Sequence, residues 1–295
     1  MTTIISVPSS LDDQSFEHIF DQLAALPSDE KILVDARRTR WASPYGLTAL
    51  LAVAQTRLER PALAVPEHED TASYWARASF FRHAATVYEI SGKVPRTRST
   101  GESSVLLEVT PVSQTADIHT VVENIQQRAQ FILQERLHLE SSVTMRFTMA
   151  LSEVCQNVIE HAGTGGWVAV QAYRWQQRTG RSVVVIAVCD AGMGFRKSME
   201  SSQGPRLTDR WDDGMALEET VMKGATRFRD PGRGQGLAGV RRFIGKWEGK
   251  FSVRSGTARI AVVPEWDDDV PLKEDLSPFP GAQLQLTIPE KFPDK

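Results

Sequence analysis

The residues LSEVCQNVIEHA, from Leu151 to Ala162, decide how this chain is read. At helical spacing Leu151, Val154, Cys155, Val158, Ile159 and Ala162 form one apolar face. Glu153, Gln156, Asn157 and Glu160 share the other, with Glu153 and Asn157 one turn apart. A carboxylate and an amide so placed suit a magnesium nucleotide. The amide oxygen can enter the ion's oxygen shell, and the carboxylate can orient or deprotonate an attacking hydroxyl. Alone the pair decides little, because Glu and Asn at this spacing most often make a solvated helix face.

Two glycine clusters follow, CDAGMGF at 189–195 and GRGQGL at 232–237. Trp167 to Trp175 and Ser182 to Asp190 read as strands joined by the turn QQRTGR, where Thr179 and Gly180 fit a hairpin. Hairpin-length joins cannot make a parallel pair, so the expected architecture is a layered α/β sandwich with mixed or antiparallel strands. Asp190, at a strand end, can accept a hydrogen bond from an exocyclic amine such as adenine N6, and Gly192 and Gly194 let backbone approach a base. Gly232, Gly234 and Gly236 stand directly before LAGVRRFIGKW, which has Leu237, Val240, Phe243 and Ile244 on one face. A glycine-rich turn opening a helix offers free N–H groups at the positive end of the helix dipole, a phosphate site by construction.

Upstream, Val105 to Val109 reads as a strand and Ile118 to Leu139 as a long helix. The polar stretch GKVPRTRSTGESS, Gly92 to Ser104, lacks apolar periodicity and marks a boundary, giving units at 1–95 and 105–295 with a linker at 96–104. With 295 residues, 41% of them hydrophobic, the chain has the length for two domains. A net charge of −3 gives no basic excess for nucleic acid. No apolar run approaches the roughly 20 residues of a membrane span. MTTIISVPSS lacks the charged region and apolar core of a signal peptide. Cys155 and Cys189 fall in apolar runs, as buried free thiols do, and a cytoplasmic location fits them.

In the first unit, Thr3 to Val7, Ile32 to Val34, Leu63 to Pro66 and Val87 to Ile90 read as strands. Between them lie helices at Ser15–Leu26, after the turn at Pro44 and Gly46, and at Asp70–His83. This is a small α/β sheet with helices packed on it. The stretch ILVDARRTRWASPYGLTALL resembles the STAS domains of anti-sigma-factor antagonists, in which an aspartate-ended strand runs into a Ser-Gly-Leu turn and a helix. Phosphorylated members carry Ser or Thr just before the Gly-Leu pair; here Tyr45 stands there and Ser43 lies two positions earlier. That departure implies a docking or self-association module rather than a phosphorylation target.

ExxxN on a helix, DxGxG after a strand, a long polar loop and GxGxGL opening a helix together resemble the GHKL ATPases, the superfamily of gyrase, MutL, heat-shock chaperones and histidine kinases. KFSVRSGTARIAVV is similar to that family's strand after the second glycine box, and GAQLQLTIP, 281–289, to its closing strand. The resemblance implies a GHKL (Bergerat) fold binding ATP with Mg2+. Asn157 would bind magnesium, Asp190 the adenine, Gly192 and Gly194 the base pocket, and Gly232, Gly234 and Gly236, with Leu237 following, the phosphates. Thr287 would help the adenine contact through water. Phe195 to Pro231 would be the ATP lid, with Gly204, Gly214 and Gly224 allowing motion. Arg206, Arg210, Lys223, Arg227 and Arg229 would be candidates for the γ-phosphate.

None of the six histidines stands in a phosphoacceptor context such as H-E-x-x-x-P, and Glu153 occupies a position where many histidine kinases have asparagine. His161 and Ala162 stand where the anti-sigma kinases often have His and a small residue. The chain is therefore similar to the anti-sigma-factor serine kinases, fused to a STAS-like unit. The implied activity is transfer of the γ-phosphoryl group to a partner protein or to water, as a protein serine/threonine kinase or an ATPase, with Glu153 catalytic. The alternative is a nucleotide-gated interaction switch with little catalysis. Expected partners are ATP and a regulatory protein, in a sigma-factor pathway or another STAS protein, with a homodimer possible in either reading. The surface around Ser43 to Leu47 is expected to touch the lid or the Glu153 helix. EWDDDVPLKEDLSP, 265–278, is expected to be an exposed acidic loop.

Overall fold

The computed structural model describes residues 2–96, 105–113, 118–175, 180–203, 211–224 and 235–290. The first unit contains β1 (Thr3–Ser6), β2 (Ser10–Leu11), α1 (Glu17–Ala24), β3 (Ile32–Asp35), β4 (Trp41–Ala42) and α2 (Pro44–Gln55). β5 (Ala62–Ala64), α3 (Glu69–Arg77), α4 (Phe80–Val87) and β6 (Glu89–Ser91) complete it. Its main sheet is parallel, in the order β1-β3-β5-β6. The sequence suggests one helix over Asp70–His83; two form instead, because Ser79 takes a left-handed backbone at φ 56° and breaks the run.

The second unit opens with β7 (Leu106–Val112), α5 (Ile118–Leu137) and α6 (Ser141–Asn157), continued by a π-helical turn over Val158–Ala162. β8 (Gly166–Trp175), β9 (Arg181–Asp190), α7 (Gly194–Gln203), α8 (Asp213–Leu217) and α9 (Gln235–Lys246) follow. The last strands are β10 (Lys250–Gly256), β11 (Ala258–Val262), β12 (Leu272–Lys273) and β13 (Phe279–Pro289). Among the described residues these strands make a seven-stranded antiparallel sheet, in the order β12-β11-β10-β13-β9-β8-β7. KFSVRSGTARIAVV is thus a hairpin of two strands, not one, because Gly256 turns the chain at φ +62°.

Strand alternation sends the two faces of this sheet to different partners. Val168, Val184, Ile186, Val188, Leu284 and Leu286 pack with α5, α6 and α9. Trp167, Ala169, Ala187, Cys189 and Phe279 instead share a core with the first unit, chiefly with α2. Every residue of α2 from Pro44 to Ala54 is buried, since PYGLTALLAVA has no polar face and the helix lies between two sheets. Its N-terminus is capped by Ser43, whose Oγ accepts from the Gly46 N–H at 3.1 Å. The surface around Ser43 to Leu47 therefore meets the back of the sheet. The expected contact with the Glu153 helix does not form, because the sheet lies between them.

Ion pairs close the rest of this boundary. Arg254, buried, donates to both Glu17 oxygens at 2.8 and 3.2 Å and lies 4.2 Å above the Phe20 ring. Lys250 lies 3.0 Å from Asp267 and from Asp269 and 3.8 Å from Asp13. The stretch 265–278 is thus not simply an exposed acidic loop. Two of its carboxylates, Asp267 and Asp269, are buried against Lys250, and Asp269 also pairs with Arg259.

Candidate nucleotide site

α6 carries its apolar side, Leu151, Val154 and Cys155, into the core and leaves Glu153, Gln156 and Asn157 partly exposed. At Asn157 the helix widens into the π turn, a form that recurs at functional sites, and Gly163 ends it at φ 73°. The sequence suggests a regular helix to Ala162; the wider turn carries the chain instead onto the end of β9. There a Cβ added at Gly192 would lie 2.1 Å from the Ala162 carbonyl oxygen. A Cβ added at Gly166 would lie 2.8 Å from Val158 and 3.0 Å from the Asp190 Cβ. Two glycines without side chains therefore bring the end of the Glu153 and Asn157 helix against Asp190 and its turn.

Asp190 is 4% exposed, and among the described residues no cation pairs with it. Burial pushes its carboxyl up to about 6, against the opposing pull of the Gly192 and Ala282 backbone N–H groups. Gly192 N donates to Oδ1 at 2.8 Å. Gly281, at φ +81°, lies so close that an added Cβ would be 2.5 Å from Oδ1. A buried carboxylate satisfied only by backbone donors retains capacity to accept from a further donor. That fits an exocyclic amine better than it fits a structural ion pair.

Gly194, at φ +72°, begins α7, and the Phe195 N–H donates to Ser255 Oγ at 3.2 Å. Ser255 in turn donates to the Gly281 carbonyl at 2.7 Å, so the start of the lid segment is fastened to the Asp190 corner. Farther along, Asp213 accepts from the Thr257 N–H and hydroxyl, both at 2.9 Å, which ties α8 to the β10–β11 turn. Gly214 is buried against Glu274 and fills a packing position rather than that of a free hinge. Lys223 pairs with Glu219 one turn away. Gly204, Arg206, Arg210, Arg227, Arg229, Gly232 and Gly234 lie outside the described residues. Gly236 stands in the first turn of α9, which packs on α6, and the Leu237 side chain is buried in the core beneath it rather than turned to a ligand.

Thr287 is not part of this cluster. It pairs with Val185, five residues before Asp190 and so about 16 Å along the strand. It shares the odd-numbered face with Gln283 and Gln285, whereas Asp190 faces the α6 side with Val188 and Ile186. The residues at the Asp190 end of β13 are Gly281, Ala282 and Gln283, which the sequence reading passed over. The available signal was an isolated glycine at the start of a strand, which marks a close backbone approach. Gly166 carries the same signal.

The glutamate and asparagine on a helix that ends against a buried strand-end aspartate, with glycines at each approach, all lie within the stretch that matches a family model. The chain belongs to the histidine kinase-, DNA gyrase B-, and HSP90-like ATPases. The family match covers residues 142–290, just over half of the 295 residues. No curated protein matches the chain. Membership makes it an ATP-binding protein of GHKL type. No described helix is long and apolar enough to cross a membrane.

For a magnesium nucleotide the donor set fits in one way. No group of three His, Cys, Asp or Glu residues that could hold a metal occurs among the described residues. The Asn157 amide oxygen would be one hard donor to such an ion, whose shell phosphate and water oxygens would complete. Gly192→Ala tests the close approach. The added methyl would meet the Ala162 backbone at the end of the helix that carries Glu153 and Asn157, and we expect ATP affinity to fall by more than about tenfold in a nucleotide titration. Unchanged affinity would show that the Asp190 turn and the α6 end need not meet.

Proposed function

We propose that this GHKL protein transfers the γ-phosphoryl group of Mg-ATP to a protein serine or threonine or to water, in the manner of anti-sigma-factor serine kinases. The observation that carries this reading is Glu153. Its carboxylate stands one turn ahead of Asn157 on the helix that ends against Asp190, partly exposed and on the polar side. There it can orient an attacking hydroxyl or water, while Asn157 supplies an oxygen to magnesium and the N–H groups opening α9 face the phosphates. Magnesium ATP supplies the transferable phosphoryl group; the chain supplies position and charge.

The first unit, with its parallel sheet and aspartate-ended β3, serves in this proposal as a STAS-like regulatory module built into the same core. Ser43 is buried and spends its hydroxyl on the α2 cap, so the acceptor lies elsewhere than at this position. A partner protein is the natural acceptor. The test is turnover with labelled γ-phosphate, scoring release to water and transfer to protein together, beside Glu153→Ala. We expect turnover to fall by about a thousandfold while ATP still binds within a few-fold. Tight binding with no chemistry in either protein would instead favour an ATP-gated assembly switch.

A further inference from the structure

The Asp190 corner is held from behind by the side chain of Gln283. Gln283 is 1% exposed and lies on the face of β13 turned toward the first unit, opposite Cys189. Its amide Nε2 donates to the Asp190 carbonyl at 2.8 Å and to the Pro280 carbonyl at 2.9 Å. Those two carbonyls flank the place where Gly281 meets the Asp190 carboxylate. One amide group thus ties the end of β9 to the start of β13 and fixes the gap in which Asp190 stands.

The first unit buttresses the same corner. Thr48 Oγ1, on α2, lies 3.2 Å from the Cys189 thiol, next in sequence to Asp190. Phe20, on α1, packs on Phe279 at 4.4 Å between ring centroids, at the start of β13. Ser277 donates to Asp21 just ahead of it. Residues of the first unit therefore cover the corner from the side away from α6, and Gln283 is the polar link from that covered face to Asp190.

We propose that Gln283 is a positioning residue of the adenine pocket, setting the Asp190 carboxylate at the depth and angle needed to accept from the exocyclic amine. The inference rests on the assignment of Asp190 to the base. Without the two hydrogen bonds the Asp190 and Pro280 carbonyls separate, and the carboxylate turns away from the in-plane approach that an amine requires. Base discrimination should suffer first, while contacts to ribose and phosphate, made elsewhere, persist.

The experiment compares full-length wild type with Gln283→Met, which keeps the volume and removes both donors. Affinities for ATP and for inosine triphosphate, which has a carbonyl in place of the exocyclic amine, are measured by titration beside the melting temperature. Wild type should prefer ATP. In Gln283→Met, ATP affinity should fall about tenfold with inosine triphosphate affinity nearly unchanged, so that the preference collapses. Gln283→Glu, which keeps the length but reverses the polarity needed at two carbonyls, should behave alike at neutral pH. Retained preference in a folded Gln283→Met protein would overturn the proposal. So would equal loss for both nucleotides with a lowered melting temperature, which marks a merely structural role. A wild type that does not distinguish the two nucleotides would overturn the base assignment of Asp190 itself, and the role of Gln283 with it.

Discussion

Asp190→Asn is expected to abolish ATP binding and also to raise the melting temperature of the unliganded protein at pH 7.5. The carboxyl titrates near 6 in the folded chain because burial opposes its charge. In the unfolded chain it titrates near the ordinary aspartate value of about 4. Below that value both states hold the proton and the site costs nothing. As pH rises toward and past 6, the unfolded chain releases its proton more readily than the folded one, and stability falls by an amount on the order of 2–3 kcal/mol. Asparagine removes that penalty, so the variant should melt a few degrees higher at pH 7.5, with the gain shrinking toward pH 4. Its amide presents a donor where the adenine amine also donates, so affinity for ATP should fall by at least about a hundredfold. In the wild type, ATP affinity should likewise weaken as pH falls below about 6 and the carboxylate takes up its proton. A variant that binds ATP within a few-fold of wild type would remove Asp190 from the base pocket.

Lys250→Met is expected to be the most damaging substitution outside the nucleotide site. The lysine is 3% exposed and stands among Asp13, Asp267 and Asp269, whose side chains are all nearly buried. Burial opposes its charge, but the surrounding carboxylates outweigh burial and raise its pKa. Asp13 is pushed up by burial despite Lys250, whereas Asp269 is held down at about 2, where Lys250 and Arg259 together overcome burial. Methionine would leave these acids with Arg259 and with Lys273, which lies 3.3 Å from Asp269 and is partly exposed. Removing one partner from a buried ionic group costs about 3–5 kcal/mol, or on the order of 10 °C in melting temperature. The deficit should narrow on mild acidification, as the stranded carboxyls take up protons. The wild type behaves oppositely. The stability contributed by Asp269 is present above pH 4 and is lost as pH falls through about 2. Because Asp13 belongs to the first unit and the others to the second, the loss should appear as one cooperative transition shifted downward. A melting temperature within 2 °C of wild type, on the same scale, would show that the cluster contributes little.

The apolar periodicity of LSEVCQNVIEHA was enough to place Glu153 and Asn157 on the partly exposed side of a helix, because burial follows the 3.6-residue repeat directly. The buried runs Trp167–Trp175 and Ser182–Asp190 likewise gave their strands to within a residue. Asp190 stands out in the sequence because a charged residue closes seven apolar positions, and the structure buries it at the strand end. The all-round apolar sequence of α2 also carried a readable signal, that of a helix with no side left for water.

Other features had no local signature. Thr287 and Asp190 are separated by strand register and by the parity of the face, which are fixed only when β13 pairs with β9. Whether Asp267 and Asp269 meet water or Lys250 depends on residues more than ten positions away and on Asp13, ahead of α1 in the other unit. The sequence by itself determined most of the elements, the family motifs and the chemical kinds of the candidate groups, since these follow from short-range spacing. The tertiary structure alone decided which face of the sheet the first unit covers, that Gly166, Gly192 and Gly281 crowd one aspartate, and that Gln283 holds it from behind. Such contacts join segments up to more than a hundred residues apart. They are set by packing of the whole chain, in which a glycine or an amide gains its meaning only from what folds against it.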